Sequence, residues 1–215
     1  MGTLNTICDR ARVKIRDVDE LVFTDAQLMG IVNGILEQIY QTLCQAESAL
    51  VYGETSFVTV DGTMEYTPVP TFYSILDNGM WVDGEETYLQ MVAEAEKIKW
   101  DYSNTTSQPE VYYLSEDGNI GLLWVPDAVY TVYYQYYKPL TPMSTFATDD
   151  LPWGGIWNLA IERMLIVECM EVQERDASRH AVMSVVEWDK AMNITHKRGI
   201  RARKQVSDLF SVEGI

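Results

Sequence analysis

The chain has 215 residues, 47% of them hydrophobic and 22% charged, which is apolar enough for one large domain, or one domain carrying an insertion, and too apolar for disorder. Sixteen basic residues against 32 acidic leave a net charge of −16, which argues against nucleic acid as an attractive partner, because affinity for phosphate needs clustered Lys and Arg. No apolar run approaches the roughly 20 residues of a membrane span.

Leu4, Ile7, Cys8, Ala11 and Ile15 recur at helical spacing and predict a short amphipathic helix with the basic residues mostly on its other face. After the loop DVDELVF, Thr24-Asp25-Ala26-Gln27 reads as a capping box, in which a Thr cap and a Gln three residues on satisfy each other's exposed amides. Behind it Leu28, Ile31, Val32, Ile35, Ile39, Leu43 and Leu50 draw an apolar stripe to about Tyr52, with Gly53 as its expected stop.

The period then changes from 3.6 to 2. TSFVTV-DG-TMEYTPV predicts a hairpin around Asp61-Gly62, because both turn positions favour positive φ. TFYSIL and GMWVDG read as two further strands separated by Asp77-Asn78-Gly79, and YLQMVAEAEKIKWDY as a short helix. VYYLSEDGNIGLLWVP predicts a second hairpin turning at Asp117-Gly118-Asn119. A last strand from Val129 to Tyr137 puts Tyr130, Val132, Tyr134 and Tyr136 on one face and Val129, Thr131, Tyr133, Gln135 and Tyr137 on the other. A strand apolar on both faces is central or covered on both sides.

KPLTPMSTFATDDLPWGG connects back to helix. Between Ile156 and Met170 eleven of the fifteen residues are apolar, so this helix is expected to be buried on more than one side. After the turn QERDAS, Ala181, Val185, Trp188, Met192, Thr195, Gly199, Ala202, Val206 and Leu209 form the seam of a long last helix. The predicted class is α+β: an antiparallel helical bundle of two N-terminal and two C-terminal helices, from 1–53 and 141–205, with a β-rich insertion at 54–140 and a flexible tail at 206–215.

Charge is segregated along the chain. From Asp17 to Tyr137 there are 20 acidic residues against Lys97 and Lys99, a net of −18. Lys190, Lys197, Arg198, Arg201, Arg203 and Lys204 then supply six positive charges near the end. These form either a solvated helix face or a place where something negative docks, such as the acidic region of a second copy or an acidic partner.

The sequence offers little chemistry. His180 and His196 lack metal-ligand spacing, and no GxSxG, GxGxxG or GxxxxGK[ST] occurs, so no metal, cofactor or catalytic residue is expected. Cys8, Cys44 and Cys169 are read as buried, reduced core residues. The tyrosine strand is read either as a core strand with hydroxyls at its rim or, in a carbohydrate-binding β module on a helical stalk, as a stacking platform of Trp124, Tyr133 and Tyr137.

The stretches TICDRARVKI, FTDAQL (Phe23–Leu28), WVPDAVYTVYYQYYKP (Trp124–Pro139) and LPWGGIWNLAIERML (Leu151–Leu165) resemble the head-to-tail adaptor, or connector, proteins of short-tailed bacteriophages. The likeness runs from Thr3 to about Glu174 and contains no catalytic group. It implies a virion protein, assembled in the host cytoplasm, that forms a twelve-subunit ring at the head-tail junction. Its partners would be itself, the portal protein and tail nozzle or tail fibre proteins, with DNA passing through unbound. Lys190, Lys197, Arg198, Arg201, Arg203, Lys204, Leu209 and Phe210 would then contact the portal or a neighbour. Ile156, Trp157, Met164 and Met170 would pack subunits, and Tyr133 and Tyr137 would form a tail-side aromatic rim.

Overall fold

The computed structural model describes residues 3–17, 21–72, 74–85, 87–100 and 106–210, apart from the side chains of 98, 100, 154 and 198–210. Among them four α-helices and two β-sheets divide between two compact units, Met1–Val51 with Leu140–Ile215, and Tyr52–Pro139. The class is α+β, with the β-rich segment standing between two pairs of helices along the chain.

Helix α1 (Leu4–Ile15) starts where Thr3 Oγ1 accepts from the Thr6 amide, and it buries Leu4, Ile7, Cys8, Ala11 and Ile15. Helix α2 (Asp25–Gln45) carries the capping box in full, with Gln27 Oε1 accepting from the Thr24 amide at 2.8 Å. It does not reach Tyr52. The amides of Ala46 and Ser48 turn back onto Thr42 and Leu43, and Glu47 takes a left-handed φ of 46°, so the helix stops at Gln45. Gly53, the expected stop, lies in the first strand instead.

Helix α3 (Asn158–Val172) packs against α1, α2 and α4, which accounts for its broad apolar girth. Helix α4 (Ser178–Phe210) follows a tight turn, in which Asp176 Oδ1 accepts from the Ser178 amide at 2.9 Å. Residues 206–210, expected in a flexible tail, continue this helix, and 211–215 lie outside the described residues. The less exposed line of α4 runs through the half-buried Ala181, Ser184 and Trp188 and the buried Ala191 and Thr195 rather than through Val185, which is 60% exposed. The spacing of four and three holds, but small residues take the inside because α3 comes close there. The connector is pinned to α2 by Asn33, whose Oδ1 accepts from the Met143 amide at 2.8 Å while Nδ2 donates to its carbonyl at 3.1 Å.

In the β unit, strands β1 (Tyr52–Val58), β7 (Thr131–Tyr137) and β3 (Ser74–Val82) form one sheet with β7 central. Strands β2 (Glu65–Tyr66), β6 (Ile120–Leu123), β5 (Val111–Leu114) and β4 (Gln90–Met91) form the other. Asp61-Gly62 does turn, with Gly62 at φ 74°, but it makes no hairpin. β1 pairs over its whole length with β7, while the chain beyond the turn joins β6. Seven paired positions along β7 outweigh what two residues of β2 could return. The two strands expected around Asp77-Asn78-Gly79 are a single strand, β3, whose register against β7 shifts between Ile75 and Met80. The short helix expected near residue 90 is β4 followed by a 3-10 helix at Glu94–Trp100. The second hairpin is present, turning at Gly118 with φ 79°. Val129 stays outside β7 and is 70% exposed.

Both sheets bury one face in a shared core. Ile75, Met80, Val82, Val132, Tyr134 and Tyr136 come from the first, and Tyr112, Ile120 and Leu122 from the second. A smaller core of Val92, Val111, Tyr113 and Leu123 covers the other side of β5 and β6. There the ring of Tyr113 lies over Gly121, where a Cβ would meet ring atom Cζ at 2.0 Å. The ring cannot swing aside easily: its hydroxyl donates to Glu65 Oε1 at 2.6 Å, and Lys97 Nζ sits 5.1 Å from its centroid. Gly121→Ala is therefore expected to lower unfolding stability by about 1–3 kcal/mol in urea titrations. Gly30→Ala is the control, since nothing lies within 4 Å of its would-be Cβ on α2, and it should be neutral or stabilising.

Candidate functional site

The basic end of the chain is part of α4. Lys190 is exposed and its Nζ lies 2.7 Å from Glu187 Oε1; Lys197 is exposed as well. Arg198, Arg201, Arg203, Lys204, Leu209 and Phe210 are on the helical backbone, and their side chains lie outside the described residues. From 190 to 204 the helix carries six basic residues and no acidic one. A continuous helix of this charge can act as an arm toward a negative surface.

Of the residues in and just before α3 expected to pack subunits, Trp157 and Met170 are buried inside the chain, while Ile156 and Met164 are half-buried. Trp157 stands edge-on to Trp188 at 5.1 Å and to Trp153 at 6.5 Å, so it joins α3 to α4. The apolar surface left outward on these helices lies elsewhere: Leu159 and Val172 on α3, and Val182, Val185 and Val186 on α4 are all exposed. The three valines sit at i, i+3 and i+4, a spacing that places them together on one side of a helix. The sequence carried that signal, but the same spacing also fits a core seam. Only the packing of α3 onto the other side decides between them.

In the β unit, Tyr133 and Tyr137 lie on the face of β7 opposite its buried residues and are half-buried. Tyr137 meets Tyr52 edge-on at 5.2 Å, and Tyr133 stacks on Trp81 at 5.6 Å with 13° between the rings. Trp81 in turn meets Tyr88, which is 60% exposed. Trp124 follows directly on β6 in the other sheet, so the three aromatic residues of the carbohydrate platform do not share a strand face. The aromatic neighbour that Tyr133 does have, Trp81, was missed in the sequence because it is set far from it along the chain.

Cys8 and Cys169 are fully buried, and burial pushes both thiols up to about 12. Burial also raises the Cys44 thiol. Thiols held this far from ionising behave as small hydrophobes. Among the described residues no His, Cys, Asp and Glu cluster has the makings of a metal site.

Outward valines on the helices, a basic segment of α4 and an acidic β unit with half-buried tyrosines on one face of β7 are the surface features of the described residues. The chain belongs to the SU10 adaptor protein family, whose model matches residues 3–207, in line with the resemblance to phage head-to-tail adaptors. No curated protein matches it. The matched span includes the whole basic segment of α4.

Proposed function

We propose that this bacteriophage structural adaptor assembles as a ring at the head-tail junction, joining the portal to the tail nozzle or tail fibres and surrounding the DNA path without catalysis. The observation that carries the reading is the family match over 3–207, which takes in both the acidic middle and the basic arm. Charge segregation supports the roles of the two parts. A wall with a net of −18 between Asp17 and Tyr137 repels phosphate and lets DNA slide. The arm from Lys190 to Lys204, continued through Leu209 and Phe210, is the contact to the portal or to a neighbouring copy. The outward apolar residues on α3 and α4 add burial between copies, a ring of twelve being what the resemblance implies. In this reading Tyr133 and Tyr137 face the next tail component.

The test is the mass of the purified protein in solution, alone and mixed with its portal, followed by electron microscopy of the mixture. A ring-sized complex is expected, and truncation before Lys190 should abolish it. A truncated chain that still assembles normally on the portal removes the arm from the docking role, and a chain that stays monomeric with every capsid component present removes the ring.

A further inference from the structure

Several cations of the helical unit are visibly engaged. Arg10 lies 3.7 Å from Glu162, Arg12 bonds Asp17, Asp25 and Phe23, and Arg175 donates to Ile15 and Gln173. One group is not. Lys14 stands near the end of α1, Arg163 on α3, and Arg179 and His180 in the first turn of α4. α3 packs on both α1 and α4, and Arg175 Nη1 donates to the Ile15 carbonyl at 2.6 Å, which ties the end of α1 to the turn before α4. Arg163 Nε and His180 Nδ1 are sealed from solvent and have no hydrogen-bond partner among the described residues. Buried polar nitrogens are overwhelmingly paired in folded proteins, with protein or with water, so two of them on packed helices mark a place where a polar partner fits.

We propose that Lys14, Arg163, Arg179 and His180 form an oxyanion site. Arg163 Nε–H and a protonated His180 Nδ1–H are its buried donors, and the exposed Lys14 and Arg179 are the charges at its mouth. Two acceptor oxygens on one anion can take both donors, the arrangement in which charged hydrogen bonds are strongest. The electrostatics agree. Burial, then the charges of Arg163, Arg179 and Lys14, hold the His180 imidazole below its ordinary value, and no carboxylate is among the groups acting on it. Such an oxyanion has two possible sources. One is a small inorganic anion. The other is an Asp or Glu of a second copy, whose segment Tyr52–Pro139 carries 14 acidic against three basic residues. The second source rests on the assembly reading above; the first does not.

The experiment uses the tag-free full chain carrying His196→Gln, so that His180 is its sole histidine. Its imidazole resonances are followed by NMR against pH at fixed ionic strength, with chloride replaced stepwise by sulfate, which does not titrate in this range. Binding should raise the proton affinity of His180 saturably, by about tenfold, because the anion supplies the missing negative charge. Arg163→Gln should abolish the response and Arg179→Gln, a change at an exposed position, should weaken it. Should Arg163→Gln fail to fold, Arg179→Gln carries the test. A His180 titration that depends on protein concentration in sulfate-free chloride assigns the oxyanion to a carboxylate of another copy. Identical titration in chloride and sulfate and at every protein concentration overturns the site, as does an Arg179→Gln response equal to the parent's. A chain that never forms rings leaves the sulfate result standing.

Discussion

Arg12→Ala should cost the helical unit about 3–5 kcal/mol of unfolding free energy, as removal of one partner of a buried ion pair does. Arg12 is 3% exposed, and its guanidinium bonds two groups of the α1–α2 loop and one at the start of α2: Nη1 to the Phe23 carbonyl at 2.7 Å and to Asp17 Oδ2 at 3.3 Å, and Nη2 to Asp25 Oδ1 at 2.7 Å. Asp17, also 3% exposed, accepts in turn from the amides of Val22 and Phe23, each at 2.9 Å. Deleting the guanidinium therefore strands a buried carboxylate and frees the loop that joins α1 to α2. The network also fixes a pH dependence. Desolvation alone would raise the Asp17 carboxyl, but the backbone amides and Arg12 outweigh it and hold it below its ordinary value. Its contribution is thus present above the unfolded carboxylate range and lost as pH falls through the lower, folded value. Urea titrations between neutral and acid pH should show that slope in the parent and a flatter one in Asp17→Asn. Equal stabilities of parent and Arg12→Ala would show that the loop holds without the network.

How far the sequence reveals this fold depends on how local each decision is. The capping box at Thr24 and Gln27 and the turn at Gly118 are settled by residues three or four apart, and both stand in the structure. The end of α2 was not legible, because the apolar stripe carries on through Leu50 while the chain leaves the helix at Gln45. Tertiary packing explains Gly53: a Cβ there would meet the Tyr136 ring at 2.6 Å, so the glycine serves a strand crossing rather than a helix end. The pairing of β1 with β7 joins residues some 80 positions apart, and no spacing rule reports that. The charge split between middle and arm was plain in the sequence. The proposed grouping of Lys14, Arg163, Arg179 and His180 was not, since these residues come from three helices and tertiary packing decides which of them meet.

Trp157→Ala should be the other large loss, about 3–5 kcal/mol, in the range for emptying a fully buried aromatic site. Trp157 is 0% exposed and meets Trp188 edge-on at 5.1 Å and 78°. It is the large side chain at the start of α3 against which α4 lies, so its removal leaves a void where small residues such as Ala191 cannot fill in. Trp157→Phe should cost less, because a ring remains and the indole Nε1–H, buried without a partner among the described residues, disappears with the substitution. A double-mutant cycle with Trp188→Leu isolates the ring pair, which should couple by about 0.5–1.5 kcal/mol. The consequence reaches beyond stability. The basic arm is the continuation of the helix that Trp188 anchors, so loosening this clamp releases the direction in which the arm leaves the unit. Under the assembly reading, Trp157→Ala should therefore weaken capture by the portal at temperatures where circular dichroism still reports a folded chain, and Trp157→Phe should not. Undiminished capture by Trp157→Ala would mean that the arm docks without guidance from the helices that carry it.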